Sequence, residues 1–454
     1  MTKYKHIHFI GIGGIGVSGI AQLALRRADK ISGSDIKVSG ITDRLKRLGI
    51  DIRIGHDAAH IDGADLVVYS SAIPYDNPEL AAARSRGVLI KRRAEFLSIL
   101  MADKKVVTVS GAHGKTTTTS LAAKLLLTAG LKPTIAVGGI LREDGDNAKL
   151  GESQYFVAEA DESDGSFLLY TPDYSIITNI DYEHMDYYKS YDNIINAFAQ
   201  FMDQTKQGGC VFYCRQDKVL SSLAAKSKAR SVSFGFTQEA DFYPENVKFS
   251  ANGIVFNCVY RGSLLGEISL KLIGRHNVSN ALAVAALGIE MGFDFSRISS
   301  ALSGFQGVER RFQVKYDGED VKIVDDYAHH PTEIQATLEA AALSLGRRLV
   351  VVFQPHRYTR TKMLLDKFAQ CFYKSDHLVI TDIYPAGETA IDGINSQNVV
   401  NCIRAHIKTP VDYVARQDVI SYLKGVICQD DLVLFLGAGD ITKISDEFAE
   451  IFKK

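Results

Sequence analysis

Short apolar runs alternate along this chain with stretches whose apolar positions recur at helical spacing, and the alternation restarts twice. The first block opens on "IHFIGIGGIGVSGIAQLALRRA", an apolar run, a glycine cluster and then an apolar helical stripe. "LVVYSSAI" and "VLIKRRAEFLSIL" continue it. At "SILMADKKVVTVSG" a helix ends, a polar linker follows and a new buried strand begins. The second block runs through "YFVAEADESD", "YSIITNIDYEHMD" and "GGCVFYC". After "FQGVERRFQVKYDGED" a third block begins, with "VKIVDDYAHHP", "RLVVVFQPHRYTR", "HLVITDIYPAGE", "VDYVA" and "DLVLFLGAGDI". Buried strands alternating with helices predict an α/β protein of three domains, with mainly parallel sheets covered on both faces. The restarts place the domains at 1–102, 103–310 and 311–454. In such sheets ligands sit beyond the carboxyl ends of the strands, where the polar clusters of this chain fall.

Composition narrows the function. The chain has 454 residues, 46% hydrophobic and 23% charged, with a formal net charge of -1. The balanced charge gives no reason to expect a nucleic-acid partner. The longest apolar runs are of strand length, too short for membrane insertion. A strand starting almost at the N-terminus leaves no room for a signal peptide, and six scattered cysteines suit the reducing cytosol, so the expected location is cytoplasmic. Cys210 and Cys214 lack the second pair or nearby histidines of a metal set.

"VTVSGAHGKTTTTS" carries the first chemistry. It departs from the usual G-x-x-x-x-G-K-[ST] loop, since only two residues separate Gly111 from Gly114. A strand, a glycine turn and a helix starting at Lys115–Thr116 would still aim backbone N–H groups and a helix dipole at one spot, which attracts phosphate. The bland alternative is a turn whose threonines cap the helix. Two acidic clusters end neighbouring strands of the pattern: Glu159, Asp161, Glu162 and Asp164, then Asp181, Glu183, His184 and Asp186. Such groups can hold Mg²⁺ against phosphates, while helix caps or solvated loops explain most single members. Gly11, Gly13 and Gly16 with Asp35 satisfy the dinucleotide fingerprint, a weak signal by itself.

Together "GAHGKTTTT", "EADESD", "TNIDYEHMD", "GRHNVSNALAVAAL" and "DDYAHHPTE" resemble the Mur ligase family, ATP-dependent enzymes that add amino acids to the peptidoglycan precursor. The short G-x-x-G-K-T loop is that family's phosphate loop. Within the family, "HFIGIGGIGVSGIA", "VERRFQV", "PHRYTRT" and "YPAGE" are most similar to the branch acting on UDP-N-acetylmuramate and L-alanine. The likeness runs from about residue 6 to "GAGDI" at 437–441. It implies a Rossmann-like UDP-sugar domain, a central P-loop-type ATPase domain, and a C-terminal Rossmann-like domain closing on ATP and the amino acid. The activity implied is a carboxylate–amine ligase of peptidoglycan synthesis, working through an acyl phosphate.

The resemblance also implies roles. Gly111, Ala112, His113, Gly114, Lys115, Thr116 and Thr117 cradle ATP; Lys115 grips the β- and γ-phosphates. Thr116 and Glu159 hold one Mg²⁺ and His184 the second, with Mn²⁺ an alternative ion. Asn277 and Asn280 meet adenine, with His276 beside them. Arg311 reaches the nucleotide phosphates, and Asp326 the ribose or γ-phosphate. Tyr327, His329, Arg357 and Arg360 form the amino-acid end. Gly11, Gly13, Gly14, Gly16, Asp35, Ser70 and Ser71 take the UDP-sugar rather than a nicotinamide cofactor.

Relatives that add later residues carry a carbamylated lysine at the place of Ala199, so none is expected here. Val17 stands where methionine is frequent, and Ala112 where threonine is common. A metal at His329–His330 is not expected, on the premise that adjacent histidines of a strand face opposite ways. The motifs leave Asp161, Asp164 and Asp325 without a role, and the oligomeric state open between monomer and dimer. Two alternatives remain: a recycling ligase attaching a preformed tripeptide to the same UDP-sugar, and a nucleotide-binding module without ligase activity.

Overall fold

The structure is a computed structural model that describes residues 4–70, 72–143 and 145–453. Its three sheets follow the three blocks of the pattern. Two compact units contain them: residues 1–245, 257–267 and 279–305, and residues 246–256, 268–278 and 306–454.

In the first unit a five-stranded sheet has the order Asp51–Ile54, Ala28–Asp35, Tyr4–Ile10, Leu66–Tyr69, Leu89–Arg92, all parallel. Ile7, Phe9 and Ile10 are fully buried, as a central strand covered on both faces requires. That strand ends at Gly11, whose φ of 72° turns the chain toward helix Ile15–Leu23. Behind the sheet, fully buried Glu79 accepts a hydrogen bond from Ser34 Oγ at 2.7 Å. His8, His56 and His60 each place a ring nitrogen 3.0–3.1 Å from its carboxylate. Burial works against that charge, but these partners hold the carboxyl down at about 2.

The second sheet has ten strands, and Lys105–Ser110 lies within it between Tyr174–Ile177 and Tyr155–Glu159, parallel to both. The two acidic clusters therefore end strands that are successive in sequence but not adjacent in space. The strand feeding the glycine-lysine turn separates them, because pairing order is set by long-range register that local pattern does not contain. Further along, Thr134–Leu141 pairs antiparallel with Asp146–Lys149. This hairpin docks on helix Ile15–Leu23: Gln22 Nε2 donates to Asp146 Oδ2 at 2.9 Å, and a Cβ on Gly19 would stand 3.0 Å from that of Ala148. The first glycine loop is thereby fixed relative to the central sheet.

In the second unit six strands run Gln313–Asp317, Val321–Asp326, Asp431–Leu436, Leu349–Phe353, His377–Ile380, Val411–Tyr413. All pairs are parallel except the first. Alternate residues feed two cores, Val351, Phe353 and Leu434 on one face and Val350, Val352 and Val433 on the other. That explains the unbroken apolar runs of the sequence.

Candidate active site

Gly111 and Gly114 have φ of 121° and 84°. A side chain at either would also collide: the Cβ would lie 2.3 Å from Thr178 Oγ1 at Gly111, and 2.9 Å from Asn280 Oδ1 at Gly114. The loop is braced from the next strand end. Asn179 O accepts from Ala112 N at 3.1 Å, Asn179 Oδ1 accepts from His113 N at 2.9 Å, and Thr178 Oγ1 donates to His113 O at 2.6 Å. Helix Lys115–Thr128 begins immediately after Gly114 with no side-chain cap, and Thr118 and Thr119 are fully buried within it. The capping explanation for the threonines therefore fails.

Lys115 Nζ folds back to donate to Gly111 O at 2.8 Å and to Glu162 Oε1 at 2.7 Å. Burial opposes its charge, but Glu162, Asp161 and Glu159 outweigh this and raise it above the ordinary lysine value. Thr116 Oγ1 donates to Glu159 Oε1 at 3.2 Å, and Gly138 N donates to Glu159 Oε2 at 2.9 Å. With those two partners and the Lys115 charge nearby, burial still raises the Glu159 carboxyl. A buried oxygen ligand short of positive charge, beside a hydroxyl, fits a hard divalent cation.

Glu162, given no role from the sequence, is the centre of this cluster. It is 1% exposed and ion-pairs with Lys115. His184 Nε2 lies 3.6 Å from its Oε1 and 3.6 Å from Glu183 Oε2. Burial would raise the Glu162 carboxyl, but Lys115 and His184 bring it below its ordinary value. His184 has φ of 57° and opens the short helix Met185–Tyr188; burial lowers its basicity, and Glu162 and Glu183 more than restore it. The Asp161 carboxyl is likewise lowered: burial is overcome by Lys115, the Ser163 N–H and Arg93.

At the first glycine loop, Gly13 N donates to Asp35 Oδ2 at 2.8 Å, so Asp35 clasps the loop itself. Gly14 caps helix Ile15–Leu23 without a side-chain partner. A cavity of about 340 Å³ extends from Gly14, Gly16 and Ser70 to Glu159 and Asp161, walled by Val17, Ile20, Leu97 and Val137. It joins the first glycine loop to the acidic residues that end the strand Tyr155–Glu159. Ser71 lies outside the described residues.

Asn280 abuts Gly114, as above, whereas Asn277 Nδ2 donates to Ile273 O at 2.7 Å and lies 3.1 Å from His276 Nε2. Burial pushes His276 down to about 4. In the second unit Asp326 is buried and accepts from Phe312 N at 2.7 Å and Ala328 N at 2.8 Å. Burial pushes its carboxyl up to about 6 against the pull of Arg311. The Arg311 guanidinium lies 5.1 Å over the Tyr327 ring. The His329 ring stands edge-on to Tyr327 and His356, and burial pushes its imidazole down to about 3. Arg360 Nη1 meets His356 Nδ1 at 3.1 Å, and His356 stacks on Tyr384 at 5.6 Å. Arg357, with φ of 69°, opens helix Tyr358–Met363 in this group. Two members of this group, His356 and Glu333, whose Oε2 accepts from His329 N at 3.1 Å, were not singled out from the sequence, although "PHRYTR" and "HHPTE" contain them.

The His329–His330 pair does not lie on a strand. The strand ends at Asp326, and His330 is the buried N-cap of helix Pro331–Leu345, so strand alternation does not govern the two rings.

Three family models match the chain: the Mur ligase family catalytic domain over residues 6–105, the Mur ligase middle domain over 109–288, and the Mur ligase glutamate ligase domain over 310–439. The chain is 45% identical over 452 residues to a UDP-N-acetylmuramate–L-alanine ligase of Geotalea uraniireducens, covering 99% of each. Among solved structures it is similar to the UDP-N-acetylmuramate–alanine ligase of Thermotoga maritima, with TM-score 0.84, 32% identity and 99% of each chain covered. It shares its fold with a murein peptide ligase of Psychrobacter arcticus, with TM-score 0.73, 23% identity and 98% of each chain covered.

Proposed function

This chain belongs to the Mur ligase family, and from that premise we propose that it joins L-alanine to the lactyl carboxylate of UDP-N-acetylmuramate, with ATP cleaved to ADP and phosphate. We take 1–102 as the sugar-nucleotide domain, 103–310 as the ATP domain and 311–454 as the amino-acid domain. With two nucleotides as substrates, the reaction belongs in the cytoplasm. The observation that carries the reading is the cavity running from the sugar-nucleotide loop to Glu159 and Asp161, beside Lys115.

A lactyl carboxylate entering along that cavity attacks the γ-phosphorus of ATP. The bond to the β-phosphate oxygen breaks, ADP leaves and an acyl phosphate forms. The ammonium of L-alanine gives up a proton to solvent, and the free amine attacks the carbonyl carbon. The tetrahedral adduct collapses, phosphate leaves with its bridging oxygen, and the amide remains. Two anions must approach for the first step, so cationic and dipolar groups have to be in place beforehand. Lys115, swinging from Glu162 to the phosphates, supplies one charge, and the uncapped start of helix Lys115–Thr128 supplies oriented N–H groups. Thr116, Glu159 and His184 are the residues we assign to Mg²⁺, with Mn²⁺ as a substitute. Bound there, the ion would neutralise phosphate charge. Arg357 and Arg360 pair with the alanine carboxylate. His329, kept neutral by burial, accepts a hydrogen bond from the ammonium without repelling it. Arg311 and Asp326 we assign to the nucleotide, and Asn277 and Asn280 to adenine.

Phosphate release from ATP and Mg²⁺ tests the reading, measured with UDP-N-acetylmuramate and L-alanine, serine, glycine or the murein tripeptide. Release is expected only with the sugar and L-alanine together, and is lost in Lys115→Ala. Release with the tripeptide and none with L-alanine would move the protein to the recycling reaction; silence throughout would leave a binding module.

A further inference from the structure

The hairpin of Thr134–Leu141 and Asp146–Lys149 touches both ends of the cavity described above. At one end Gly138 N donates to Glu159 Oε2 at 2.9 Å, and a Cβ on Gly138 would stand 2.7 Å from Glu159 Oε1. At the other end Asn147, 2% exposed, donates from Nδ2 to Ile15 O, the carbonyl of the first residue in the helix that follows the first glycine loop. Ser18 Oγ donates to the same carbonyl at 2.8 Å. Asn147 Oδ1 accepts from Nη2 of Arg44, on helix Gly40–Arg47, at 3.3 Å. Arg44 Nη1 reaches Gly145 O at 3.0 Å and Asp146 Oδ1 at 3.1 Å. On the helix side, a Cβ on Gly19 would stand 3.0 Å from Asn147 Nδ2. One hairpin thus bridges the first glycine loop and a carboxylate assigned to the metal, with hydrogen bonds at each end.

We propose that this hairpin sets the separation between the bound sugar nucleotide and the γ-phosphate of ATP, with Asn147 as its positioning residue; this rests on the ligase reading above. The two substrates belong to different sheets, so whatever fixes the distance between the sheets fixes the approach of the lactyl carboxylate. Reacting atoms must come within about 3–3.5 Å in line, and a misplacement of about 1 Å costs on the order of 100-fold in rate. Asn147 suits this task. Ile15 O calls for a donor and Arg44 for an acceptor, and a primary amide supplies both from one short side chain. Its oxygen and one of its protons are committed to those partners, so it acts through Ile15 and Arg44 rather than on the substrate.

The test uses the full chain with Asn147→Ala, Asn147→Asp, Arg44→Ala and the double variant Arg44→Ala with Asn147→Ala. Calorimetry reads the Kd for UDP-N-acetylmuramate, and rapid quench reads the ADP formed in a single turnover at saturating substrates. Asn147→Ala should slow that turnover about 10–100-fold and leave the Kd in place. Asn147→Asp keeps the acceptor for Arg44 and loses the donor to Ile15, and should be slowed as well, as should Arg44→Ala. The double variant should cost less than the sum of its singles, because both side chains act through one hairpin. A lower unfolding temperature with the turnover rate intact would reduce Asn147 to packing and overturn the proposal. A raised Kd with the turnover rate intact would make it a substrate contact and overturn it equally. Should Asn147→Ala fail to fold, Arg44→Ala decides, since that side chain is 21% exposed. A wild-type protein without sugar-dependent ADP formation would sink the ligase reading, whereas variants that match an active wild type would sink the positioning role alone.

Discussion

Glu162→Gln is the most informative single change. The side chain is 1% exposed, 2.7 Å from Lys115 Nζ and 3.6 Å from His184 Nε2, so the substitution removes one buried negative charge shared by two cationic groups. Glutamine keeps the shape and one acceptor oxygen. The loss is then the difference between a charge-assisted and a neutral hydrogen bond, about 1–2 kcal/mol. Full loss of a buried ion partner costs more, ~3–5 kcal/mol, but Glu159 and Asp161 still face Lys115. The unfolding transition of the central domain should fall by roughly 2–8 °C in calorimetry. The pH dependence has a fixed sign. The Glu162 carboxyl is lowered in the folded state, so its contribution is present above its unfolded value and fades as the pH falls through the folded value. The variant should therefore lose most relative to wild type at neutral pH, and the two should converge in acid. Activity should fall about 10–100-fold, the usual effect of removing a partner that orients a metal ligand. An unchanged transition at neutral pH with unchanged kcat would refute the reasoning, because Lys115 and His184 would then be placed without Glu162.

Thr116→Val removes the hydroxyl beside Glu159 without changing helix length, and should raise the Mg²⁺ concentration for half-maximal activity about tenfold or more, read by metal titration. Gly114→Ala forces a side chain to φ of 84° against Asn280, costing about 1–2 kcal/mol for the left-handed backbone alone, with a higher KM for ATP. Arg360→Ala should raise the KM for L-alanine by about 10–100-fold and leave the KM for UDP-N-acetylmuramate in place, as steady-state kinetics with each substrate varied will show.

The parts legible in the sequence were local ones. A glycine needing positive φ, a lysine at a helix start and an apolar strand before it are neighbours in the chain, so Gly111, Gly114 and Lys115 could be read directly. The unbroken runs of the third block likewise announce strands buried on both faces. What escaped depends on register between distant segments. Asn179 braces His113 across 66 residues, and Glu162 meets Lys115 across 47. Nothing in "EADESD" says which of its four acids turns inward. The separation of the acidic clusters by the strand Lys105–Ser110 was invisible for the same reason. The histidine pair differs for another reason: the apolar run does not show that the strand stops at Asp326, where the chain turns into a helix cap.

The most direct test of the central claim follows the oxygen of the lactyl carboxylate. UDP-N-acetylmuramate labelled with ¹⁸O in that group is turned over with ATP and L-alanine, and the phosphate released is examined by mass spectrometry. Activation as an acyl phosphate predicts one ¹⁸O in each phosphate formed. Unlabelled phosphate alongside amide product would contradict the account, since the carboxylate would then not have attacked the γ-phosphorus.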